Sequence, residues 1–444
     1  MNYEKIKSVL LAVLVVTSVF LTWNIWNYQA DYETIDNNYI HEIAISENRD
    51  AVSLIKPYKI IFHQNNNHYG TTAEVDVDGI IKEMLNWDFP EIRNISGAIS
   101  EKHFSRLLHG SNRTEVIFPA PVPFETLKGI LNIENDTVPN VSFDRIIISE
   151  INAKENKAVV YFVSTKERLV FESNITSPEL GDFKNKFVNQ ADRLPEYFAH
   201  KLDNSVSLFL PADRVSLVRY KYFPDYIEVE KFKNALFSDP GKVKKGIRAT
   251  GEEYTDGSSM MRVNHTNNMI FYVNPAQEAE LDYRGTSSSL IEKSINFVNE
   301  HHGWTDKYRF FDIGTREPKV SYRLFMNGYP VFNKEGMAEV TQYWGKDQIY
   351  QYVRPYFTLD ITLPSPDSIE IELPSGLEAV TFLYKQENFQ PHLLEDMVIG
   401  YHLTHDPQSS KILVLEPAWY YKYNGSWLLL KEDEKTEGSE SGLE

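Results

Sequence analysis

The sequence predicts an α+β protein: a single N-terminal transmembrane helix followed by a multi-domain mixed exterior with antiparallel sheets. Three observations predict it. From Ser8 to Ala30 the chain runs 23 residues without a charge. Beyond that run, short β-branched and aromatic segments alternate between Asn, Gly and Pro turn signals. Helical periodicities are interspersed among these segments.

The opening run, MNYEKIKSVLLAVLVVTSVFLTWNIWNYQA, meets the requirement for a spanning helix of roughly 20 mostly apolar residues at about 1.5 Å rise each. Trp23, Trp26 and Tyr28 sit where an aromatic belt meets outer headgroups. Lys5 and Lys7 precede the span, and Asp31, Glu33 and Asp36 follow it. The positive-inside rule therefore places residues 1–7 in the cytoplasm, residues 8–30 in the membrane and the remainder outside. A cleaved signal peptide shares this layout, but no small-x-small pair follows the apolar core, which passes into bulky indoles. The chain has no cysteine, which excludes a lipid-modified N-terminus.

Beyond the span the chain carries 43 basic against 62 acidic residues, a charge of −19. Nucleic acid is excluded as a partner, because phosphate binding needs basic patches. An exported chain of this size without cysteine fits a bacterial surface protein, since exported proteins of oxidising compartments often use disulfides.

In chain order, Asp31 to Asn48 is polar and reads as a stalk. Tyr58 to Phe62 is a strand ending at Asn65-Asn66-Asn67, and Val77 to Trp87 is a helix with Ile80, Ile81, Met84 and Leu85 at core spacing. Thr114–Phe118, Arg145–Ser149 and Ala158–Ser164 are strands of a mixed sheet. A helix over Gly181 to Ala199 is kinked at Pro195. A first boundary falls near 200, giving an α+β domain over 31–200. In a central α+β domain, 201–305, Glu228 to Phe237 is a helix, and Gly246–Tyr254, Met260–Asn264 and Met269–Val273 are hairpin strands. Thr286-Ser287-Ser288-Ser289 opens a helix whose apolar face carries Leu290, Ile291, Ile295, Phe297 and Val298, with Gly303 as its stop. In a C-terminal α+β domain, 306–430, strands run over Lys319–Met326, Pro330–Phe332, Ala338–Trp344 and Gln348–Thr362, with Asn327-Gly328 as a hairpin turn. Leu393 to Leu403 reads as the last helix, followed by a hairpin through Asn424-Gly425. Residues 431–444 form a disordered acidic tail.

Motifs for chemistry are near misses. Glu74-Val75-Asp76-Val77-Asp78-Gly79 resembles a calcium loop but has Leu85 where the bidentate carboxylate belongs, so alternating acid and valine reads as an exposed strand edge. His301-His302 and His402/His405 lack the spacing and companion Glu of a zinc protease. No nucleophile elbow, phosphate loop or dinucleotide fingerprint opens a helix. No catalytic residue, metal ligand or cofactor site is assigned. A seven-residue interior holds no kinase, so any signalling must act on another protein's cytoplasmic domain.

The N-terminal run through Trp26, the segment FMNGYPVFN at 325–333 and the ending EPAWYYKYNGSWLLL at 416–430 together resemble the YycH family. These are membrane-anchored accessory proteins of the YycG (WalK) sensor histidine kinase in Gram-positive bacteria. The resemblance covers the chain to about Leu430. It implies a non-enzymatic regulator of cell-wall homeostasis that works with the related YycI and the kinase in a membrane complex. It also implies a three-domain exterior whose later two domains resemble YycI. The alternative class is an extracytoplasmic cell-wall enzyme or ligand-binding protein, resting on the wealth of carboxylates and aromatics.

Two surfaces are candidates for partners. Turning the span by 100° per residue gathers Ser8, Ala12, Val15, Ser18, Val19 and Thr22 into one small-residue strip. Outside, aromatic density around Tyr343, Trp344, Tyr356 and Trp419 suits a contact with a YycI-like protein; alternate aromatics on strands also serve as core.

Overall fold

The computed structural model describes residues 3–27, 45–134, 138–203, 205–278, 285–314, 317–346, 348–362 and 369–431. It divides into two units, Met1–Glu42 and Ile43–Glu444. The expected stalk up to residue 44 and the acidic tail from 432 lie outside the described residues. The first unit holds a helix over Tyr3–Asn27. Among the described residues no helix is long and apolar enough to cross a membrane.

Two large sheets organise the second unit. The first has nine strands in the spatial order Ser207–Pro211, Glu196–Lys201, Asn67–Thr71, Lys59–Gln64, Arg113–Pro123, Ser142–Asn152, Lys157–Ser164, Leu169–Thr176 and Arg93–Asn94. Every neighbour in it is antiparallel. The Asn65 and Asn66 turn is tight because both residues adopt positive φ, 47° and 72°, a conformation asparagine tolerates. One face of the sheet buries Ile60, Phe62, Val116, Ile146, Ile148 and Phe162 against the Glu74–Met84 helix, through Val77, Ile80 and Met84. On the other face the Glu101–His109 helix lays Phe104, Leu107 and Leu108 over Ile147, Tyr161 and Val163.

The second sheet has 14 strands and runs from Lys244–Arg248 at one edge to Phe357–Thr362 at the other. Its pairings are antiparallel except where Tyr329–Phe332 lies parallel to Leu394–Asp406. Both Asn-Gly turns expected from the sequence form: Asn327 and Gly328 have φ of 51° and 86°, and Asn424 and Gly425 of 48° and 79°. Positive φ at both central residues gives the turn the right-handed twist that its strands need. The helix Ser287–Asn299 is capped as expected, with Thr286 Oγ1 accepting from the Ser289 amide at 3.1 Å. It buries Leu290, Ile291, Ile295 and Val298, each worth about 1.5 to 3 kcal/mol of apolar transfer.

Four expectations are corrected. Residues Leu394–Asp406 form a strand, not a helix. Met397, Val398, Ile399, Tyr401 and Leu403 are buried together, and a strand covered on both faces has no alternation to distinguish it from a helix. The last helix is Gly376–Tyr384, where Ser375 and Glu378 form a reciprocal capping box; the Ser-x-x-Glu spacing was readable. The long helix at Gly181–Ala199 ends at Lys186, continues as a 3-10 turn and becomes a strand after Pro195, because proline ends the ladder of helical bonds. Glu74 to Gly79 opens a helix rather than lying on a strand edge, since acids in a first turn complement the helix dipole. The segment after residue 44 is also tied down: Ile45 and Ser46 donate to the carbonyls of His301 and His302.

The sheets meet along a seam. A shared apolar cluster takes Tyr58, Ile61, Ile117, Tyr197 and Phe209 from the first and Phe311, Phe325, Phe332, Val398 and Tyr420 from the second. Arg323 is buried there with its guanidinium 4.4 Å from the Phe311 ring and 4.2 Å from the Phe332 ring. The Asn327-Gly328 turn presses on the first sheet's side of the seam: a Cβ on Gly328 would lie 2.0 Å from the Thr72 carbonyl oxygen. Gly328→Ala should therefore lower stability by ~2 kcal/mol or more, from positive-φ strain and the clash together. The urea midpoint of the Ile43–Glu444 unit measures it, and an unchanged midpoint would mean that the turn does not bear on Thr72.

Candidate functional site

The largest concentration of buried ionisable groups lies on the first sheet's seam face. Glu115, on the strand Arg113–Pro123, sits opposite Ile61 and Ile147 of its neighbours, where the alternation of a core strand calls for an apolar residue. It is 1 % exposed. Three donors surround it. Arg145 Nε donates to Oε1 at 2.9 Å, and His63 Nε2 and His109 Nδ1 approach Oε2, each at 3.1 Å. Burial alone raises the Glu115 carboxyl; the two histidines and Arg145 outweigh it and hold the group well below the usual carboxylate range. Arg145 is in turn bonded to Asp144, and despite its burial these carboxylates raise its pKa.

The hydrogen bonds assign the protons. The Ser207 amide donates to His109 Nε2 at 3.2 Å, so that nitrogen is an acceptor and Nδ1–H faces Glu115. His63 donates Nε2–H to Glu115, which leaves its Nδ1 to accept from His68 Nδ1–H at 2.8 Å. Burial depresses the pKa of His63, and burial with the neighbouring histidines lowers His68 to about 4. Ligand atoms of His63, His109 and Glu115 lie within 4.8 Å of one another, a spacing that suits a cation. The Ser207 amide opposes it, because a metal on His109 Nδ1 moves the ring proton to Nε2, where it meets another donor. The group reads as a proton-ordered electrostatic hub.

One residue beside the hub reaches the second sheet, and its neighbour bonds within the first. Tyr58 donates to Asp396 at 2.7 Å, and Lys59, whose pKa burial lowers, donates to the Phe209 carbonyl at 3.1 Å. Sequence reading missed this group. The readable signal was His63-x4-His68 flanking an Asn turn, which places two imidazoles side by side across a hairpin.

The residues singled out from the sequence fall elsewhere. Trp344, Tyr356 and Trp419 are buried and Tyr343 is half-buried. Trp419 Nε1 donates to the Pro374 carbonyl, and Tyr356 meets His265. In the first unit Val15, Ser18, Val19 and Thr22 are exposed, and Thr22 donates to its own Ser18 carbonyl; the side chains of Ser8 and Ala12 lie outside the described residues. The calcium-like acids do not converge: Glu74 pairs with Lys307 and Arg309, Asp76 accepts from Thr71, and Asp78 pairs with Lys56. His301 is buried against Tyr352, and His402 meets the Tyr420 hydroxyl.

Depressed histidines make the fold sensitive to acid. The unfolded chain takes up protons at His63 and His68 near pH 6.5, whereas the folded chain refuses His68 one until about pH 4, so stability falls as pH drops across that window. His68→Gln should flatten this acid limb by on the order of 1 kcal/mol, after allowance for the ring's partial exposure. Urea midpoints of variant and parent at pH 7 and pH 5 measure it, and parallel slopes would count against the assigned protonation.

Comparison with known proteins places the chain. Residues 4–191 match the family described as YycH protein, N-terminal domain, and residues 205–434 match YycH protein, C-terminal domain. The chain is 26 % identical over 461 aligned residues to the two-component system WalR/WalK regulatory protein YycH of Bacillus subtilis (strain 168), covering 100 % of both chains. That relative is named a regulatory protein, not an enzyme. The crystal structure of YycH from Bacillus subtilis shares the fold, with a TM-score of 0.75 at 23 % identity over 87 % of this chain and 99 % of that one. With both domain descriptions matched in order along its length, the chain belongs to the YycH family.

Proposed function

We propose that this chain is a non-enzymatic regulatory protein of a WalR/WalK-type two-component system. The similarity along the whole length to a relative so named carries this reading. The chain acts on the sensor kinase YycG/WalK together with a YycI-like accessory protein. It is held in the cell membrane by one pass, with the N-terminus cytoplasmic and the rest extracellular. The uncharged run from Ser8 to Ala30 and the Lys5/Lys7 flank support that placement.

In lipid the hydrophobic effect does not draw helices together, so association rests on close approach at small residues and on hydroxyl bonds of about 0.6 to 2 kcal/mol. The strip Ser8, Ala12, Val15, Ser18, Val19 and Thr22 supplies both. Thr22 shares its hydroxyl with the Ser18 carbonyl, an arrangement that leaves the oxygen free to accept from a partner. In the exterior, Tyr343 offers a partially exposed ring for a partner, on a strand packed from beneath by Trp344.

Replacing Ala12, Ser18 and Thr22 together by Leu keeps the span apolar while filling the groove. Co-purification with the kinase from solubilised membranes should fall roughly three- to thirty-fold, the equivalent of the interaction energies above, and kinase output should shift with it. Recovery of the complex at the parent level would place the contact on the Leu14, Thr17 and Leu21 side.

A further inference from the structure

A cavity of about 300 Å³ opens in the seam between the two sheets, within the Ile43–Glu444 unit. One wall comes from the first sheet, with Tyr197, Leu210 and Pro211; the facing wall comes from the second, with Tyr329, Met397 and Trp419. Most of this lining is carbon, and the volume falls at the small end of the range of small-molecule sites, which favour apolar clefts between structural units.

The ionised groups on the wall are few. Asp76 is satisfied: it accepts from the Thr71 hydroxyl at 2.8 Å and lies in the first turn of a helix, whose dipole complements it. The Tyr58 hydroxyl is spent on Asp396 at 2.7 Å, and Asn327 donates to Tyr220 at 2.9 Å. The Trp419 indole N–H is spent on the Pro374 carbonyl at 2.9 Å. Lys59 differs. It lines the cavity and is 5 % exposed; its ammonium donates to the Phe209 carbonyl at 3.1 Å and lies 5.3 Å from the Tyr58 ring, with no ion pair among the described residues. An ammonium has three donors, so two are left over, and a buried cation is costly until an anion meets it. Burial depresses its pKa although the nearby Asp396 carboxylate raises it, so the attraction available inside the protein falls short of the desolvation cost.

We infer that the seam cavity binds a small amphipathic anion, a compact acyl or similar apolar body carrying one carboxylate, with the carboxylate on Lys59 and the apolar body against Leu210, Tyr329, Met397 and Trp419. Because its walls belong to different sheets, the ligand bridges them, and its presence tightens their packing. The assignment does not depend on the regulatory reading above.

The test uses the full-length chain in lipid nanodiscs, so that no detergent competes. A diazirine-bearing medium-chain fatty acid is added and photolysed, and adducts are mapped by peptide mass spectrometry. Adducts are expected at Tyr329, Met397 or Trp419, suppressed by excess dodecanoate and not by dodecanol or dodecylamine. Lys59→Met should reduce this labelling at least five-fold with its circular-dichroism melt retained. Val215→Trp, which fills the cavity from a half-buried position and leaves Lys59 in place, should abolish it even if Lys59→Met folds poorly. Adducts confined to the N-terminal helix and lipid-facing residues, or equal competition by dodecylamine, would overturn the inference.

Discussion

A carboxylate buried at Glu115 is the constraint on which the Ile43–Glu444 unit depends. It interrupts an apolar strand, and an isolated charge at that depth would be prohibitively unfavourable. It is tolerated because three separate segments each bring a donor to it, His63 from one strand, Arg145 from another and His109 from the end of the Glu101–His109 helix, and the Ser207 amide in turn holds the His109 ring. Removing one partner of such a group typically costs 3 to 5 kcal/mol, because the other charge is left buried alone. The carboxylate therefore pins the helix to the sheet and holds the last strand of the sheet in place.

The hub adjoins the seam, and there the two halves of the family fold are joined by complementary means. Apolar packing supplies the bulk: Tyr58, Ile61, Ile117, Tyr197 and Phe209 of the first sheet share one cluster with Phe311, Phe325, Phe332, Val398 and Tyr420 of the second, whose own side is stiffened by the Phe332–Tyr420 stack at 4.0 Å. Directional polar bonds supply the register, with Tyr58 reaching across to Asp396. Apolar area gives cohesion, while buried hydrogen bonds admit few alternative arrangements.

Local signals were legible wherever chemistry acts over a few residues. Asn327-Gly328 and Asn424-Gly425 made their turns, Thr286 made its cap, and Ile60, Ile80 and Leu290 pointed to the core. Leu394–Asp406 was misread because burial on both faces removes the alternation by which a strand is recognised. The aromatic set at Trp344, Tyr356 and Trp419 was left open between a partner surface and the core, and each ring lies inward; sequence shows that strand positions alternate but not which face meets solvent.

By itself the sequence determined the uncharged N-terminal run, the acidic balance, the absence of cysteine chemistry and the turn and cap positions, because each is a property of composition or of neighbours along the chain. Only the tertiary structure decided that His63, His109, Glu115 and Arg145 share one site and that Lys59 lines a cavity with Met397 and Trp419. Apart from His109 and Glu115, six positions apart, the residues of each set are separated by tens to hundreds of positions. Their meeting depends on the order in which strands pair, and strand order is set by the packing of whole sheet faces rather than by any local preference.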